Sequence, residues 1–359
     1  MMLRERGTTA TIHIPHITHN LRVFKRLHPG RLIAVVKADA YGHGLAHVVP
    51  ALADCDAFAV ATLEEALALR QLAPDKKIIL LEGVFNPTEM KTAAAQRLDV
   101  VVHQDYQIKL LSGLSAKSGV AAWLKIDSGM HRLGFRRELA PDKITQLTSL
   151  PAVKQLRIMA HYATSEQAHC EQTKDQRQLA HDLKSFGLEC SFSNTGAVLN
   201  QLADPAEWVR VGIGLYGISP LPQGPWGADF GLKPVMQLSA KIIASKRIKA
   251  GGLVGYGGHF QAPKDMRIGI VGIGYADGYP WSPHPSQVLV EDQAVAVLGR
   301  VSMDMMAIDL SAFSAPMTGA EVLIWGPGMP TEQVAKDLNL IPYALTCGIT
   351  KRVKFNVVQ

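Results

Sequence analysis

Cysteine is scarce in this chain, with four in 359 residues, at positions 55, 170, 190 and 347. None belongs to a Cys-x-x-Cys pair, so the usual sequence grounds for a zinc site or a disulfide framework are missing, and lone thiols suit a reducing compartment. No apolar run approaches the ~18 residues that span a bilayer. The opening Met-Met-Leu-Arg-Glu-Arg-Gly-Thr-Thr carries basic residues without an apolar stretch behind them. Neither a membrane span nor export is expected, and the expected location is the cytoplasm. An excess of one charge is also lacking: 37 Lys and Arg against 31 Asp and Glu give a formal +6, spread along the chain. That scatter argues against nucleic acid and leaves room for anionic small molecules at the surface. A metal is not expected. His13, His16 and His19 recur every three residues, but Pro15 interrupts them where a strand should give way to a helix, so they are not expected to share a face. His43 and His47 lack the glutamate of a metalloprotease motif and are expected to open a helix.

What is present is a repeating pattern. Through about residue 218, short apolar runs alternate with stretches of helical periodicity such as 63–72 and 170–186. Eight strands are predicted, at 33–36, 58–61, 78–81, 100–103, 121–126, 158–160, 190–193 and 208–213. Repeated strand-helix units of this kind close into a parallel (β/α)₈ barrel. Beyond the Pro/Gly-rich segment 220–227 the pattern turns to alternation, as in Val235-Met-Gln-Leu-Ser-Ala-Lys-Ile-Ile and Gln287–Leu298, which predicts a mostly antiparallel β domain. One helix, 331–338, and a last strand, 351–358, complete it. The expected division is 1–229 and 230–359, with residues 1–14 free to join either part.

The stretch Leu32-Ile-Ala-Val-Val-Lys37-Ala-Asp-Ala-Tyr41-Gly-His-Gly44 puts a lysine where a buried strand runs out into a glycine turn. A barrel carries its active site at that end, and a desolvated amine there can attack a carbonyl to form a Schiff base; a snorkelling lysine paired with a carboxylate is the competing explanation. The other strand ends decide between them. They collect Lys125 and Asp127, His161, Asn194 and Thr195, with Arg210 in the eighth strand. Ser193-Asn-Thr-Gly196 and Val211-Gly-Ile-Gly214 offer backbone N–H groups to a phosphate. A phosphate site, a nucleophilic lysine and no metal motif together suggest pyridoxal phosphate.

Four blocks then carry a family resemblance: Val36-Lys-Ala-Asp-Ala-Tyr-Gly-His-Gly44, Leu124-Lys-Ile-Asp-Ser-Gly-Met-His-Arg-Leu-Gly134, Gly274-Tyr-Ala-Asp-Gly-Tyr-Pro280 and Gly299-Arg-Val-Ser-Met-Asp304. In this order, and spanning essentially the whole chain, they resemble the signature blocks of alanine racemases. The resemblance implies a pyridoxal-phosphate enzyme that interconverts L- and D-alanine, supplying D-alanine for cell-wall peptide or consuming it. It also implies a homodimer whose active sites use both chains.

By that resemblance Lys37 holds the cofactor and is one of two acid/base groups, and Tyr275 is the opposing base, supplied by the other subunit and supported by His161. Arg210 is matched to the arginine set against the pyridine nitrogen. Since an arginine gives up its proton only with difficulty, the ring would be a weaker electron sink, favouring reprotonation over transamination or decarboxylation. Arg132 is matched to the arginine that steadies the substrate carboxylate, and Lys125 to a lysine found carbamylated. Met303 and Asp304 match the substrate-binding segment of the second subunit. Tyr41, Asn194, Thr195, Gly212 and Ile213 are the expected cofactor ligands. Lys351 stands where some relatives carry a tyrosine that touches the phosphate, which makes it a further expected contact. The competing readings are a broader amino-acid racemase, a basic-amino-acid decarboxylase, which Arg210 disfavours, and a single-barrel cofactor carrier, which the β domain with Tyr275 opposes because a carrier has no need for a second base.

Overall fold

The computed structural model describes residues 6–282 and 284–359. The alternation Thr-Ala-Thr-Ile-His makes β1 (Thr9–His13), which buries Ala10 and Ile12. β1 lies outside the barrel. It pairs antiparallel with β10 (Met236–Ile248) and parallel with the last strand, and so sits in the C-terminal sheet. Pro15 then opens the helix Ile14–Leu27, where its missing N–H costs nothing. His13 and His16 stack across this junction with ring centroids 5.0 Å apart, so two of the three spaced imidazoles do share a face. His16 and His19 are engaged by the carbonyls of Pro234 and Gly231. Among the described residues no group of three or more His, Cys, Asp or Glu is arranged to hold a metal.

The barrel consists of β2 (Arg31–Val35), β3 (Ala57–Val60), β4 (Lys77–Leu80), β5 (Leu98–Val102), β6 (Val120–Lys125), β7 (Val153–Met159), β8 (Cys190–Ser191) and β9 (Trp208–Val211). Parallel pairing runs β8-β7-β6-β5-β4-β3-β2-β9. The Arg210 N–H donates to Ser193 O at 2.9 Å and ties the two outer strands together. These strands read as continuous apolar runs because both faces are covered, side chains inside and helices outside. Phe58, Trp123, Val209 and Ile33 are buried in that core. The helix Leu63–Leu72 begins on a capping box in which Thr62 and Glu65 satisfy each other's backbone N–H.

The second part is the expected antiparallel domain. It contains β11 (Leu253–Val254), β12 (Phe260–Gln261), β13 (Met266–Val271), β14 (Gln287–Val290), β15 (Gln293–Leu298), β16 (Met306–Asp309), β17 (Glu321–Trp325) and β18 (Lys354–Val358). The sheet order is β13-β16-β15-β14-β17-β10-β1-β18, and β13 also pairs with β10, which curls the sheet on itself. β11 and β12 form a separate small hairpin. Besides the expected helix, here Thr331–Asp337, a second one, Pro342–Cys347, precedes β18. At six residues it is too short to show a helical period in sequence. It reaches across to the barrel mouth.

Candidate active site

β2 ends at Val35, the Val36 N–H joins Ala59 O, and Lys37 follows, half-buried at the rim. The next four residues, Ala38 to Tyr41, all have left-handed backbone angles, with φ of 52°, 51°, 56° and 55°. For residues with a Cβ this costs about 1–2 kcal/mol each. Specific hydrogen bonds hold the turn. Glu65, the capping-box carboxylate, accepts from the Ala38 N–H at 2.6 Å and from the Ala61 N–H at 2.9 Å. Asp39 Oδ1 accepts from Leu45 N–H at 2.7 Å. Buried His43 donates through Nδ1–H to the carbonyls of Ala40 and Tyr41, and burial lowers its pKa to about 4, so it stays neutral. Gly42 is required: φ is 79°, and a Cβ would lie 2.1 Å from Thr346 O of the Pro342–Cys347 helix.

The turn sends the Tyr41 ring toward Tyr216 and Tyr343, with centroids 5.0 and 5.9 Å away. Its hydroxyl closes on β9: a Cβ at residue 212 would be 2.4 Å from Tyr41 Oη. The Gly212 N–H donates to Thr195 Oγ1 at 3.1 Å. Burial pushes the Tyr41 and Tyr216 phenols well up, so both remain O–H donors. Asn194 caps the helix Thr195–Leu199 with its side-chain oxygen, accepting from Ala197 N–H at 3.0 Å and from Ser165 Oγ at 2.7 Å.

Across the rim, Arg210 is buried, and both its terminal nitrogens are hydrogen-bonded. It donates to Ser191 O and Oγ, to Ala160 O, to Phe192 O and, at 2.7 Å, to His161 Nδ1. Since a guanidinium only donates, Nδ1 is the acceptor and the imidazole proton is on Nε2. Burial first, then the charges of Arg210, Lys125 and Arg132, hold the His161 pKa far below its usual value, so the ring is neutral. Burial lowers Arg210 to about 10, which leaves it cationic at neutral pH. Lys125 ends β6 and is also buried. Desolvation, followed by the charges of Arg210 and Arg132, brings its pKa down to about 7. Asp127 Oδ1 accepts from the N–H groups of Gly129 and His131 and thereby shapes the loop that carries Arg132.

A cavity of about 490 Å³ unites these groups. Lys37, Tyr41, Lys125, Arg132, His161, Asn194, Thr195, Arg210, Gly212 and Ile213 all line it. Tyr275, Met303, Asp304 and Lys351 do not; they lie on the β domain. Tyr275 and Met303 are 43% and 52% exposed, and their loops are joined by Tyr275 N–H to Ser302 O and Ala276 N–H to Met303 O. Lys351 is exposed in the turn before β18 and does not line the cavity. Tyr343, from the unexpected helix, stands there instead against Tyr41.

Three other groups escaped the sequence reading. Glu207 is buried and accepts from the N–H groups of Phe192 and Ser193 and from Ser193 Oγ, which fixes the end of β8. Glu65 looks in sequence like a helix cap and nothing more. Tyr256, at 73%, is more exposed than Tyr275 and sits between Gly255 and Gly257 in the β11–β12 hairpin. A tyrosine flanked by glycines between two short strands was the available signal.

A parallel barrel whose mouth gathers a lysine, a buried arginine-imidazole pair and a hydroxyl-lined cradle, with a β domain appended, defines a cofactor-assisted barrel enzyme acting on small molecules. The comparisons give the family. Residues 12–220 match the alanine racemase N-terminal domain and residues 235–357 the alanine racemase C-terminal domain. The chain belongs to the alanine racemase family. It is 42% identical to an alanine racemase of Aeromonas hydrophila over 97% of this chain and 98% of that one. It is 39% identical to the biosynthetic alanine racemase of Escherichia coli, covering 98% and 99%. Among solved structures, the biosynthetic alanine racemase of Pseudomonas aeruginosa superposes with a TM-score of 0.95 at 39% identity, covering 99% of this chain and all of that one. The alanine racemase of Bartonella henselae, with covalently bound pyridoxal phosphate, superposes with a TM-score of 0.89 at 29% identity, covering 99% and 100%.

Proposed function

We propose that this protein interconverts L- and D-alanine with two bases on opposite faces of the substrate, using pyridoxal phosphate held at Lys37. The supporting observation is the rim cavity, which joins the Lys37 amine, a cradle of Tyr41, Thr195, Gly212 and Ile213, and the buried Arg210 guanidinium. The residues fit the cofactor. Tyr41 Oη, Thr195 Oγ1 and the backbone at Gly212 and Ile213 converge where a side chain at residue 212 would intrude. When bound, the cofactor supplies an electron-withdrawing ring that acidifies the Cα–H of an attached amino acid. Lys37 Nζ carries the proton to and from one face. Arg132 would bind the substrate carboxylate, and Arg210, held cationic by its five acceptors, would pair with the ring nitrogen and so discourage decarboxylation.

The opposite face needs a second base, because the proton must be returned from the side away from Lys37. In this reading an exposed phenol of a second copy supplies it, so the working unit is a homodimer with shared sites, divided near residues 229 and 230 into a barrel and a β domain that serves the partner. Tyr275 is the motif-based candidate and Tyr256 the rival; the greater exposure of Tyr256 on a glycine hairpin favours it. Met303 and Asp304 then approach the substrate carboxylate from the same domain. The role of the reaction is D-alanine supply for cell-wall peptide or alanine catabolism, in the cytoplasm. Chiral chromatography of L-alanine, L-serine, L-lysine and L-arginine after incubation with the loaded protein tests the reading. D-alanine should predominate, and dominance of D-lysine or D-arginine would move it to a broader racemase.

Two finer points have their own tests. Gly212→Ala, whose new Cβ would lie 2.4 Å from Tyr41 Oη, should weaken cofactor retention about tenfold or more, because overpacking costs ~1–3 kcal/mol. Absorbance titration of the variant with pyridoxal phosphate measures this, and unchanged affinity would place the phosphate elsewhere. Lys125, with a pKa brought to about 7, is largely unprotonated above that pH, whereas an ordinary lysine is not. Its free amine should therefore capture carbon dioxide, giving a carbamate that pairs with Arg132. A carbamate ¹³C signal is expected from protein in labelled bicarbonate above neutrality, fading as the pH falls below about 6 and the amine protonates. Its absence at all pH values would remove the modification.

A further inference from the structure

The β domain carries a second large cavity, about 500 Å³, that shares no lining residue with the barrel cavity. It is lined by Arg247, Lys249, Lys264 and Arg267 with a single carboxylate, Asp265. Asp265 is already committed: one oxygen accepts from Lys249 Nζ at 2.7 Å and the other from the Ala250 N–H at 3.0 Å. Arg247 and Arg267 are register partners on antiparallel β10 and β13, so their side chains leave the same face directly opposite each other. Like charges in that arrangement repel; neither arginine makes a salt bridge within 4 Å among the described residues, and the one carboxylate that feels the Arg247 charge, Asp265, is bound to Lys249. One guanidinium nitrogen of Arg267, Nη1, is buried without a hydrogen-bond partner. Burying a charged donor unpaired is costly unless something arrives to pair it.

We propose that this groove binds a small molecule bearing two or more phosphate-type oxygens, such as a phosphate monoester or a diphosphate, with Arg247 and Arg267 gripping the anion and Lys264 at its edge. A planar guanidinium pair suits this geometry, since each presents parallel N–H donors to a tetrahedral oxyanion. The groove also lies at the base of the β11–β12 hairpin, where Lys249 and Asp265 close the two arms.

The test uses the protein loaded with pyridoxal phosphate, so that the cradle at Gly212 does not compete, and titrates it calorimetrically with inorganic pyrophosphate and, separately, inorganic phosphate. Saturable binding of one pyrophosphate per chain is expected, weakened roughly tenfold or more in Arg247→Gln and Arg267→Gln, since charge-assisted hydrogen bonds are the strong ones. Racemisation without added anion should be unchanged in both variants. Pyrophosphate should raise the melting temperature of the unaltered protein and fail to do so for the variants. Binding that survives both substitutions, or no binding at all, would overturn the proposal. A weaker dimer in the variants by sedimentation would also overturn it, because the groove's occupant would then be acidic side chains of a second copy.

Discussion

Lys37→Ala should abolish alanine racemisation in both directions and release pyridoxal phosphate on dialysis. The size of the loss follows from two roles lost together. The amine is the covalent anchor of the cofactor, and it is one of two proton carriers, a role worth roughly 10²–10⁴ in rate by itself. Folding should survive. Lys37 is only half-buried, and the left-handed turn beside it is held by Glu65, Asp39 and His43, not by the lysine side chain. An unchanged melting temperature with lost activity separates chemistry from unfolding. Because the cavity is open at the rim, methylamine added to the variant should restore part of the rate as a diffusible base. Persistence of racemisation and of bound cofactor in Lys37→Ala would transfer the anchor to another amine, and Lys125, lining the same cavity with a pKa near 7, would be the one to test.

The barrel was legible because each strand is covered on both faces and therefore spells a run of apolar residues with little alternation. Polar residues at the ends of those runs read directly as rim residues, and Lys37, Lys125, His161, Thr195 and Arg210 do line one cavity. What could not be read follows from physics that leaves no local mark. The turn at Ala38–Tyr41 is left-handed without a glycine in it, so nothing in Ala-Asp-Ala-Tyr announces it; remote groups such as Glu65 and Thr346 impose it. The helix Pro342–Cys347 is shorter than two turns. Missing it left Tyr343, which packs on Tyr41 at the cavity, unassigned, while the expected contact Lys351 is exposed in the turn before β18. Glu207 acts through backbone N–H groups of a strand end 14 and 15 residues away, a contact no spacing encodes. The placement of β1 between β10 and β18 was open in sequence because a single alternating strand pairs equally well with any sheet edge.

Substituting the second base should leave a different signature from substituting Lys37. A racemase with only one working face still removes and returns a proton there, so in deuterated water one alanine enantiomer should keep exchanging its Cα–H while inversion falls roughly 10²–10⁴-fold. Two phenols compete for the role, and their surroundings differ. Tyr275 starts a turn fixed by Asp277, which caps Gly274 N–H and is itself clasped by Arg6 at 2.8 and 2.6 Å, so its backbone has little freedom. Tyr256 projects from a hairpin with Gly255, Gly257 and Gly258 at positive φ and with the Arg300 guanidinium close to Gly257. A base that must enter another subunit's cavity needs reach, and the three-glycine hairpin gives that to Tyr256. Tyr256→Phe should therefore show exchange without inversion, and Tyr275→Phe a smaller loss. The reverse pattern would restore Tyr275, and full inversion in both variants would end the two-base scheme. Mixing Lys37→Ala chains with Tyr256→Phe chains then reports where the phenol acts. In hybrid dimers with shared sites, one site collects both lesions and the other none. With half the dimers hybrid and one good site in two, about a quarter of the unaltered activity should return. No recovery after subunit exchange would mean that the phenol and Lys37 of one chain serve the same site.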